Sequence, residues 1–391
     1  MTTQVYIIGA KRTAIGSFQG QFAHTSSPQL GAAAIKAAVA QAGVSSIDEA
    51  LMGCVLPAGV GQAPARQAVL GAGLDKSVVC TTVNKVCGSG MKTVMLACDA
   101  IKAGSAATMV AGGMESMTLA PYMLPKARSG YRMGHSQILD HMFFDGLQNP
   151  YDDNMMGVFA EICADKFNFS RAAQDEFAIK SVRRSMAAME SGAFAAEITD
   201  VTVVNRRLES IINQDEEPPR CNIEKIPTLR PAFRRENGTV TAANSSKISD
   251  GAAAMVIASE QVVADNNLKP LAKILAHTTF AHEPQWFTTA PVSAIQKLLQ
   301  QLDWSIEDVD LFEINEAFAV VTMAAMQELN IPHEKVNIHG GACALGHPIG
   351  ASGTRILVTL LYALQQKGLK RGIASLCIGG GEATAVAIEL V

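Results

Sequence analysis

The stretch Asn84-Lys85-Val86-Cys87-Gly88-Ser89-Gly90-Met91-Lys92 places a cysteine between an apolar run and two closely spaced glycines, directly before a helical pattern. The pattern continues to about Ile101 with the spacing of one helix face, and Gly104 indicates where the helix stops. Cys87 is therefore predicted at the turn that leads into a helix. Free N–H groups and the positive end of the helix dipole favour a thiolate there. The alternative is a small, inert core residue, a common role for free cysteine.

On both sides of this turn, short apolar runs alternate with helical patterns, which is typical of a layered α/β fold. The same rhythm returns near the carboxyl end of the chain. The predicted strands are 5–9, 49–55, 78–83, 107–112, 254–258, 271–276, 309–314, 373–377 and 383–390. The predicted helices, besides the one after Cys87, are 29–43, 63–72, 170–191, 290–302, 318–329 and 356–367.

Residues 119–248 differ from the rest of the chain in charge. They hold 16 of the 32 Lys and Arg residues and 17 of the 36 Asp and Glu residues, and they contain Pro218-Pro219. We interpret this segment as a solvated excursion laid over a charge-poor core. The predicted organisation is an N-terminal α/β half at 1–118, an inserted loop domain at 119–248 and a C-terminal α/β half at 249–391.

An internal repeat links the two halves. Gly88-Ser89-Gly90, a helix and the stretch 109–113 correspond to Ala351-Ser352-Gly353, a helix and the stretch 376–381. Strand, helix and strand recur in the same order, which favours a duplicated architecture with one site between the halves over a chance likeness of two glycine-rich turns.

Three further clusters of polar residues follow apolar runs, at 313–318, 339–350 and 375–381. His339, Cys343 and His347 have the i, i+4, i+8 spacing of a metal-binding helix face. The glycines between them and Pro348 argue against a continuous helix, so no metal site is predicted. The glycines at 379–381 lack the Lys-Ser/Thr of a phosphate-binding loop.

Composition excludes several classes of protein. The chain has 391 residues, is 48% hydrophobic and carries a net charge of −4, which gives no basic character suited to nucleic acid. Its eight cysteines form no C-x-x-C pair and indicate reduced thiols in a cytoplasmic setting. The N-terminus shows no signal-peptide pattern, and no apolar run reaches the roughly 20 residues of a membrane span, so we expect no membrane association.

Five motifs, taken together and in this order, resemble the thiolase family, and within it the short-chain branch. They are residues 84–90 with Cys87, 112–116 (Gly-Gly-Met-Glu-Ser), 315–318 (Asn-Glu-Ala-Phe), 346–353 (Gly-His-Pro-Ile-Gly-Ala-Ser-Gly) and 377–381 (Cys-Ile-Gly-Gly-Gly). The resemblance extends from the first strand to the last residue. It implies a duplicated, five-layered α-β-α-β-α fold with an inserted loop domain.

The resemblance also implies a reaction, the reversible condensation of two acetyl-CoA molecules through an acyl-cysteine intermediate. Cys87 would be the nucleophile, His347 the base that accepts its proton, and Cys377 the second acid and base. One thioester oxyanion would be bound by His347 and a water held by Asn315, and the other by the N–H groups of Cys87 and Gly379. No metal or redox cofactor is implied, because the coenzyme A thioester is itself the substrate.

Contacts to coenzyme A are implied for residues of the excursion and its neighbours. Arg220 would lie near the adenine nucleotide, although it could equally be a solvated loop arginine. Ser246 would bond the pantetheine arm. The implied apolar contacts are Leu147, Met156, Phe233, Ala242 and Phe318.

Two departures from the short-chain pattern bear on the acyl group. Met155 stands where many biosynthetic members have a histidine, which could admit a bulkier or branched chain, and Trp286-Phe287 would shrink the pocket. A degradative 3-ketoacyl-CoA thiolase, a decarboxylating ketoacyl synthase and a non-catalytic acyl-CoA-binding or lipid-transfer protein are the alternatives. Residues 124–147 resemble a family oligomerisation loop, from which we expect a homo-oligomer, a dimer of dimers.

Overall fold

The computed structural model describes residues 3–205 and 208–391; Met1, Thr2, Arg206 and Arg207, which belong to the predicted N-terminal half and the excursion, lie outside the described residues. The strands are β1 (Val5–Thr13), β2 (Gly16–Ser17), β3 (Glu49–Gly53), β4 (Val79–Val83), β5 (Thr108–Ser116), β6 (Tyr122–Met123), β7 (Leu139–Asp140), β8 (Ile198–Thr199), β9 (Val201–Asn205), β10 (Leu208–Ile212), β11 (Ser249–Ser259), β12 (Ala272–Ala281), β13 (Leu311–Ile314), β14 (Arg371–Ile378) and β15 (Glu382–Leu390).

The helices fall between these strands. They are α1 (Ser27–Ala42), α2 (Pro64–Gly71), α3 (Ser89–Lys102), α4 (Met156–Phe167), α5 (Arg171–Glu190), α6 (Glu260–Asp265), α7 (Ala290–Leu302), α8 (Ala319–Leu329), α9 (Ala342–Leu345) and α10 (Ser352–Lys367). Short 3₁₀ segments lie at Pro218–Arg220, Ile223–Thr228, Pro284–Thr289 and His333–Lys335, and one π-helical segment lies at Met142–Leu147.

Nine strands form one continuous mixed sheet in the order β13-β14-β15-β12-β1-β11-β5-β3-β4, with β2 and β8 attached to β11 and β1. On either side of the antiparallel β1–β12 pair, four strands follow in matching order, β1-β11-β5-β3 and β12-β15-β14-β13, and β4 extends the first of these halves. Within each half, the strand after the central helix (β5 or β14) lies next to an antiparallel neighbour (β11 or β15). The structure thus has the duplicated arrangement that the repeat predicts.

The structure has five layers, which can be recognised from the hydrophobic core that each face of a strand joins. The alternate residues Val5 and Ile7 of β1 pack with α3 and α10, whereas Tyr6 and Ile8 pack with α1 and α2. In the other half, one face of β14 and β15 also packs on α3 and α10, and the opposite face packs on α7 and α8. The order is therefore outer helices, sheet half, central helices α3 and α10, sheet half and outer helices, as predicted.

The excursion carries α4, α5 and the β6–β7 and β9–β10 hairpins. The sequence division at residue 248 assigns β11 to the C-terminal half, and in the structure β11 pairs with β1 and β5 of the N-terminal half. The three-part division itself stays a prediction. No helix within 3–205 or 208–391 combines the length and the apolar character needed to cross a bilayer.

Candidate active site

The turn that carries Cys87 is held in an unusual backbone conformation. Val86 has φ of 47°, a left-handed value that a β-branched residue rarely adopts. Ser89 stabilises the turn, because its Oγ accepts a hydrogen bond from the Lys85 amide (2.8 Å) and donates one to the Val86 carbonyl (2.7 Å). A strained backbone kept in place by specific bonds is typical of functional sites. Here it holds Cys87 directly before the first turn of α3.

Close packing of the two central helices brings a second motif to this turn. A Cβ on Gly90 would lie 2.9 Å from the Gly350 carbonyl oxygen, and one on Gly353 would lie 2.3 Å from the Met91 amide nitrogen. Thr354 Oγ1 also donates to the Gly90 carbonyl at 2.8 Å. The glycines at the starts of α3 and α10 are therefore required for contact between the helix ends, and this contact joins the Cys87 turn to the segment that follows His347.

His347 is buried and fixed through both its backbone and its ring. Its Nδ1 lies 2.6 Å from Ser352 Oγ, and Ser352 in turn donates to the Pro348 carbonyl at 3.0 Å. Because the Ser352 hydroxyl donates its proton to Pro348, it can only accept a hydrogen bond from His347. We therefore assign the ring proton to Nδ1, which leaves Nε2 unprotonated and able to act as a base. Burial, assisted by the nearby charge of Arg355, lowers the pKa of His347 to about 3. The imidazole is neutral at physiological pH and can accept a proton.

Asn315 lies on the Nε2 side of this imidazole. Its Nδ2 is 3.5 Å from His347 Nε2, and its backbone amide donates to the Ser375 carbonyl at 3.0 Å. Its buried Oδ1 has no partner among the described residues. A buried acceptor of this kind is normally satisfied by water or ligand, which agrees with a water held between Asn315 and His347.

Cys377 is the last residue but one of β14 and is 1% exposed. Burial, followed by the charge that a Cys87 thiolate would carry, raises the pKa of Cys377 well above its usual value. Burial also raises the pKa of Cys87 to about 11, although the backbone N–H groups of Gly379 and Cys87 oppose this shift. Both groups are therefore thiols in the resting site, and the two are close enough to influence each other's ionisation.

The glycine loop after Cys377 lies over the nucleophile turn. A Cβ on Gly379 would lie 3.4 Å from Met156 Sδ and 4.0 Å from Val86 Cγ1. Gly381 has φ of 89°, and a Cβ there would lie 2.4 Å from the His282 carbonyl oxygen. The loop therefore needs glycine at residue 381, and its fixed course presents the Gly379 N–H towards Cys87.

A cavity of about 440 Å³ leads to His347. Its wall is mostly apolar, and all seven residues predicted to contact coenzyme A lie in it. The lining residues are Ser17, Phe18, Met117, Phe143, Leu147, Met155, Met156, Gly157, Glu217, Arg220, Ala232, Phe233, Ala242, Ser245, Ser246, Lys247, Ile248, Phe318, His347 and Ile349. Cys87 packs in the same hydrophobic cluster as Leu147 and Ile349, so the nucleophile adjoins this cavity.

The two departures from the short-chain pattern differ in their placement. Met155 lines the cavity, as the sequence comparison requires. Trp286 and Phe287 are not among the lining residues; Phe287 is buried and packs edge-on against Phe159 and Phe318. The aromatic pair does not fill the cavity directly, and Phe287 touches its wall through Phe318.

Two residues of the site, Glu115 and Ser352, carried no role at the level of sequence. Glu115 is fully buried and accepts hydrogen bonds from the amides of Val55 (3.0 Å), Leu56 (3.2 Å) and Gly350 (2.9 Å), so it ties the two halves together behind Cys87. Burial raises its pKa to about 7. A lone acidic residue after an apolar strand is the signal that could have identified it. Ser352 has a comparable signal, since a serine at the start of the helix that follows Pro348 could have been identified as the hydrogen-bond partner of His347.

The cluster of His339, Cys343 and His347 does not share a helix face. Only 342–345 is helical, His339 packs edge-on against Phe194, and Cys343 is buried beside Glu316. Within 3–205 and 208–391, no group of three His, Cys, Asp or Glu side chains has the arrangement of a metal site.

The chain is similar to known proteins over nearly its whole length. The family description "Thiolase, N-terminal domain" matches residues 5–261, and "Thiolase, C-terminal domain" matches residues 268–390. Acetyl-CoA acetyltransferase from Escherichia coli (strain K12) is 51% identical over 387 residues, which is 98% of each chain. The enzyme of the same name from Saccharomyces cerevisiae is 47% identical over 400 residues and covers all of both chains.

Two solved structures share the fold over nearly the whole chain. The Acat5 thiolase from Ascaris suum, in complex with coenzyme A, has a TM-score of 0.94 and 42% identity, and covers 99% of this chain and 100% of its own. The Bacillus anthracis acetyl-CoA acetyltransferase has a TM-score of 0.97 and 38% identity, with 100% and 99% covered.

Proposed function

Because the chain belongs to the thiolase family, we propose that it is an acetyl-CoA acetyltransferase, an acyltransferase that reversibly joins two acetyl-CoA molecules into acetoacetyl-CoA and coenzyme A. The observation that supports this proposal is the placement of Cys87, neutral His347 and Cys377 around one apolar cavity. His347 lines the cavity, and each cysteine packs in a hydrophobic cluster that contains other lining residues. An acyl-cysteine mechanism needs these three groups: a nucleophile, a base for its proton and a second proton-transfer group.

In the first half-reaction, Cys87 Sγ attacks the thioester carbonyl of acetyl-CoA. His347 Nε2 takes the thiol proton during the attack, because the raised pKa of Cys87 means that little thiolate exists beforehand. The tetrahedral oxyanion is stabilised by the N–H groups of Cys87 and Gly379, each worth roughly 3 kcal/mol of barrier. The C–S bond to coenzyme A then breaks, the leaving thiolate takes a proton from Cys377, and Cys87 carries the acetyl group.

In the second half-reaction, Cys377 acts as the base. Its thiolate removes a proton from the methyl group of a second acetyl-CoA, and the resulting enolate attacks the acetyl group on Cys87. The enolate oxygen is stabilised by His347 and by a water held at Asn315, whose Oδ1 has no protein partner in the described residues. The proton returns to Cys87 through His347 as acetoacetyl-CoA forms, which restores the resting enzyme.

Coenzyme A is proposed to occupy the cavity along its length. Met156, Phe233 and Phe318 supply apolar surface near the inner end, and Leu147 and Ala242 extend it. Ser246 offers its hydroxyl to the amide groups of the pantetheine arm. Arg220 lines the cavity but is 59% exposed and paired with Glu216, so its contribution to the nucleotide end is modest.

The size of the acyl group depends on Met155, an apolar cavity residue at a position where a histidine is common in the short-chain branch. We expect acetoacetyl-CoA to be cleaved with a higher kcat/KM than a ten-carbon 3-ketoacyl-CoA, and Met155→His to sharpen this preference by about tenfold because it adds a polar group to an apolar wall. A kinetic panel of 3-ketoacyl-CoA chain lengths on both proteins measures this.

The matched control for this panel is Met186→His, which makes the same change at a half-buried residue of α5 that does not line the cavity. A strong preference of the unmodified protein for the ten-carbon substrate would instead identify a degradative thiolase for longer chains. No turnover of either substrate, with coenzyme A still bound, would favour a non-catalytic acyl-CoA-binding protein.

We also propose that the protein is a homo-oligomer, a dimer of dimers. The hairpin of β6 and β7 and its flanks expose large apolar side chains that a monomer would leave in water. They are Leu119, Tyr122, Leu124, Tyr131, Met133, Ile138, Phe143 and Phe144. We expect light scattering at micromolar concentration to give about four times the chain mass, and a monomer there would contradict the proposal.

All eight cysteines are free, which supports a reducing compartment; we propose the cytoplasm and a role in the assembly or breakdown of fatty acyl-CoA. Cell fractionation that found the protein in an oxidising compartment would overturn the first of these assignments.

A further inference from the structure

Lys247 places a positive charge in the wall of the proposed substrate cavity. Four ionisable side chains line this cavity, namely Glu217, Arg220, Lys247 and His347. Because His347 is neutral, Arg220 and Lys247 are the two cations of the cavity wall. Arg220 is paired with Glu216 at 2.9 Å, whereas no ion pair joins Lys247 to a carboxylate anywhere in the part of the chain that the structure describes.

Hydrogen bonds fix the position of the Lys247 ammonium group without neutralising its charge. Lys247 Nζ donates to the carbonyl oxygens of Ala242 (2.6 Å), Ser245 (3.2 Å) and Ala243 (3.4 Å). Carbonyl dipoles orient an ammonium group but carry no net charge, so the full charge is still felt by an anion nearby. The backbone is also fixed, because the Lys247 carbonyl accepts from the His347 amide (3.0 Å) and from Ser249 Oγ (2.6 Å).

The ammonium group lies at the outer part of the cavity. Ala242, whose carbonyl it contacts, is exposed. Burial raises the pKa of Cys221, the neighbour of Arg220, and the charge of Lys247 opposes this rise, so the ammonium group also acts on the side of the cavity where Arg220 lies. An anion that reaches Lys247 belongs to the part of the substrate remote from the reacting thioester.

Lys247 decides the net charge of the cavity wall. Glu217 supplies one negative charge, and Arg220 and Lys247 supply two positive ones, so the wall is net positive with Lys247 and neutral without it. A net positive wall attracts coenzyme A, which carries several phosphate charges at its nucleotide end.

We propose that Lys247 is a specificity-determining residue that binds a phosphate group of the coenzyme A portion of the substrate. This proposal rests on the proposed function and deepens it, since it explains how an otherwise apolar cavity distinguishes a coenzyme A thioester from a thioester of a shorter, uncharged thiol. The carbonyls hold the ammonium group in place, so it need not be ordered when the phosphate arrives, and the phosphate replaces the longest of the three bonds, that to Ala243 at 3.4 Å.

The test compares Lys247→Met with Lys247→Arg on two substrates, acetoacetyl-CoA and S-acetoacetyl-pantetheine, which has no phosphate. We expect Lys247→Met to raise KM for acetoacetyl-CoA about tenfold, as for loss of a charge-assisted bond to a partly exposed group. The methionine variant should not change KM for the pantetheine thioester, and the arginine variant should recover most of the loss. Raising the salt concentration should weaken wild-type binding more than that of Lys247→Met.

An equal rise in KM for both substrates would overturn the proposal, because it would show that Lys247 only supports the turn at 242–245. A rise confined to 3-ketoacyl-CoA substrates with a terminal carboxylate would also overturn it, since the partner would then be on the acyl side. Lys297→Met removes a lysine that likewise donates to a carbonyl, that of Thr279, but is not among the cavity-lining residues, and serves as the matched control.

Calorimetric titration with coenzyme A and with pantetheine separates this proposal from the proposed function. If the wild type turned over no acetoacetyl-CoA, Lys247→Met should still bind coenzyme A more weakly than the wild type does and should bind pantetheine equally well. Equal binding of coenzyme A by the wild type and Lys247→Met would refute the role of Lys247 whatever the reaction.

Discussion

Cys87→Ala is expected to abolish acetyl transfer, with kcat at least about 10⁴-fold below that of the wild type. No other group can replace the thiol, because the strained turn at Val86 and the amide of Gly379 are arranged around Sγ of residue 87. The measurement is thiolysis of acetoacetyl-CoA, together with intact-protein mass spectrometry after incubation with acetyl-CoA. The wild type should carry one acetyl adduct and the variant none.

The matched control is Cys80→Ala, which removes a partly buried thiol from β4, outside the residues that line the cavity. It should be acetylated at Cys87 and turn over as the wild type does. An acetyl adduct on Cys87→Ala, or turnover within about tenfold of the wild type, would show that another residue carries the acyl group and would contradict the mechanism.

Cys377→Ala is expected to separate the two half-reactions. Removal of a methyl proton next to a thioester needs a positioned base, so condensation and thiolysis should fall by about 10³-fold to 10⁴-fold. Acetylation of Cys87 should persist at a reduced rate, because the leaving coenzyme A thiolate is a stable anion that depends less on an acid. Exchange of labelled coenzyme A into acetyl-CoA measures the first step, and loss of methyl protons to deuterated water measures the second.

We expect label exchange to survive in Cys377→Ala while proton loss disappears. An equal loss of label exchange and of proton exchange would instead show that Cys377 only stabilises the structure of the site. Cys98→Ala makes the same truncation at another fully buried cysteine, in α3, and should lower stability without this split. Proton exchange at the wild-type rate in Cys377→Ala would assign the base to a different residue.

The order of strands and helices was predictable because most elements have one apolar face, yet several boundaries were not. The prediction ended β1 at Gly9, but the strand continues through Arg12 to Thr13. Arg12 is fully buried by pairing with Glu197 (2.6 Å) and Asp215 (2.7 Å), both far away in the sequence. A charged residue is expected to be solvent-exposed unless its partners are known. A prediction from the hydrophobic pattern alone therefore ends the strand too early.

The start of α10 was missed for the same reason. The predicted helix begins at Ile356, but the observed one begins at Ser352, and its first turn is buried against α3. Ser352, Gly353, Thr354 and Arg355 look like a polar loop in sequence because their burial depends on the other central helix. The pairing of β11 with β1 and β5 likewise joins strands separated by more than a hundred residues, which local spacing does not encode.

The layered α/β class and the duplication follow from the sequence, because the apolar pattern of each element is local in the chain. The five motifs, which are also local, predict Cys87, His347, Cys377 and Asn315 as site residues through the family resemblance. The folded structure added the electrostatic state of each group. It set the neutral, Nδ1-protonated state of His347, the raised pKa values of both cysteines and the charge of Lys247 in the cavity wall. These properties arise from burial and from partners distant in sequence, since the electrostatic environment of a group is fixed only when the chain has folded around it.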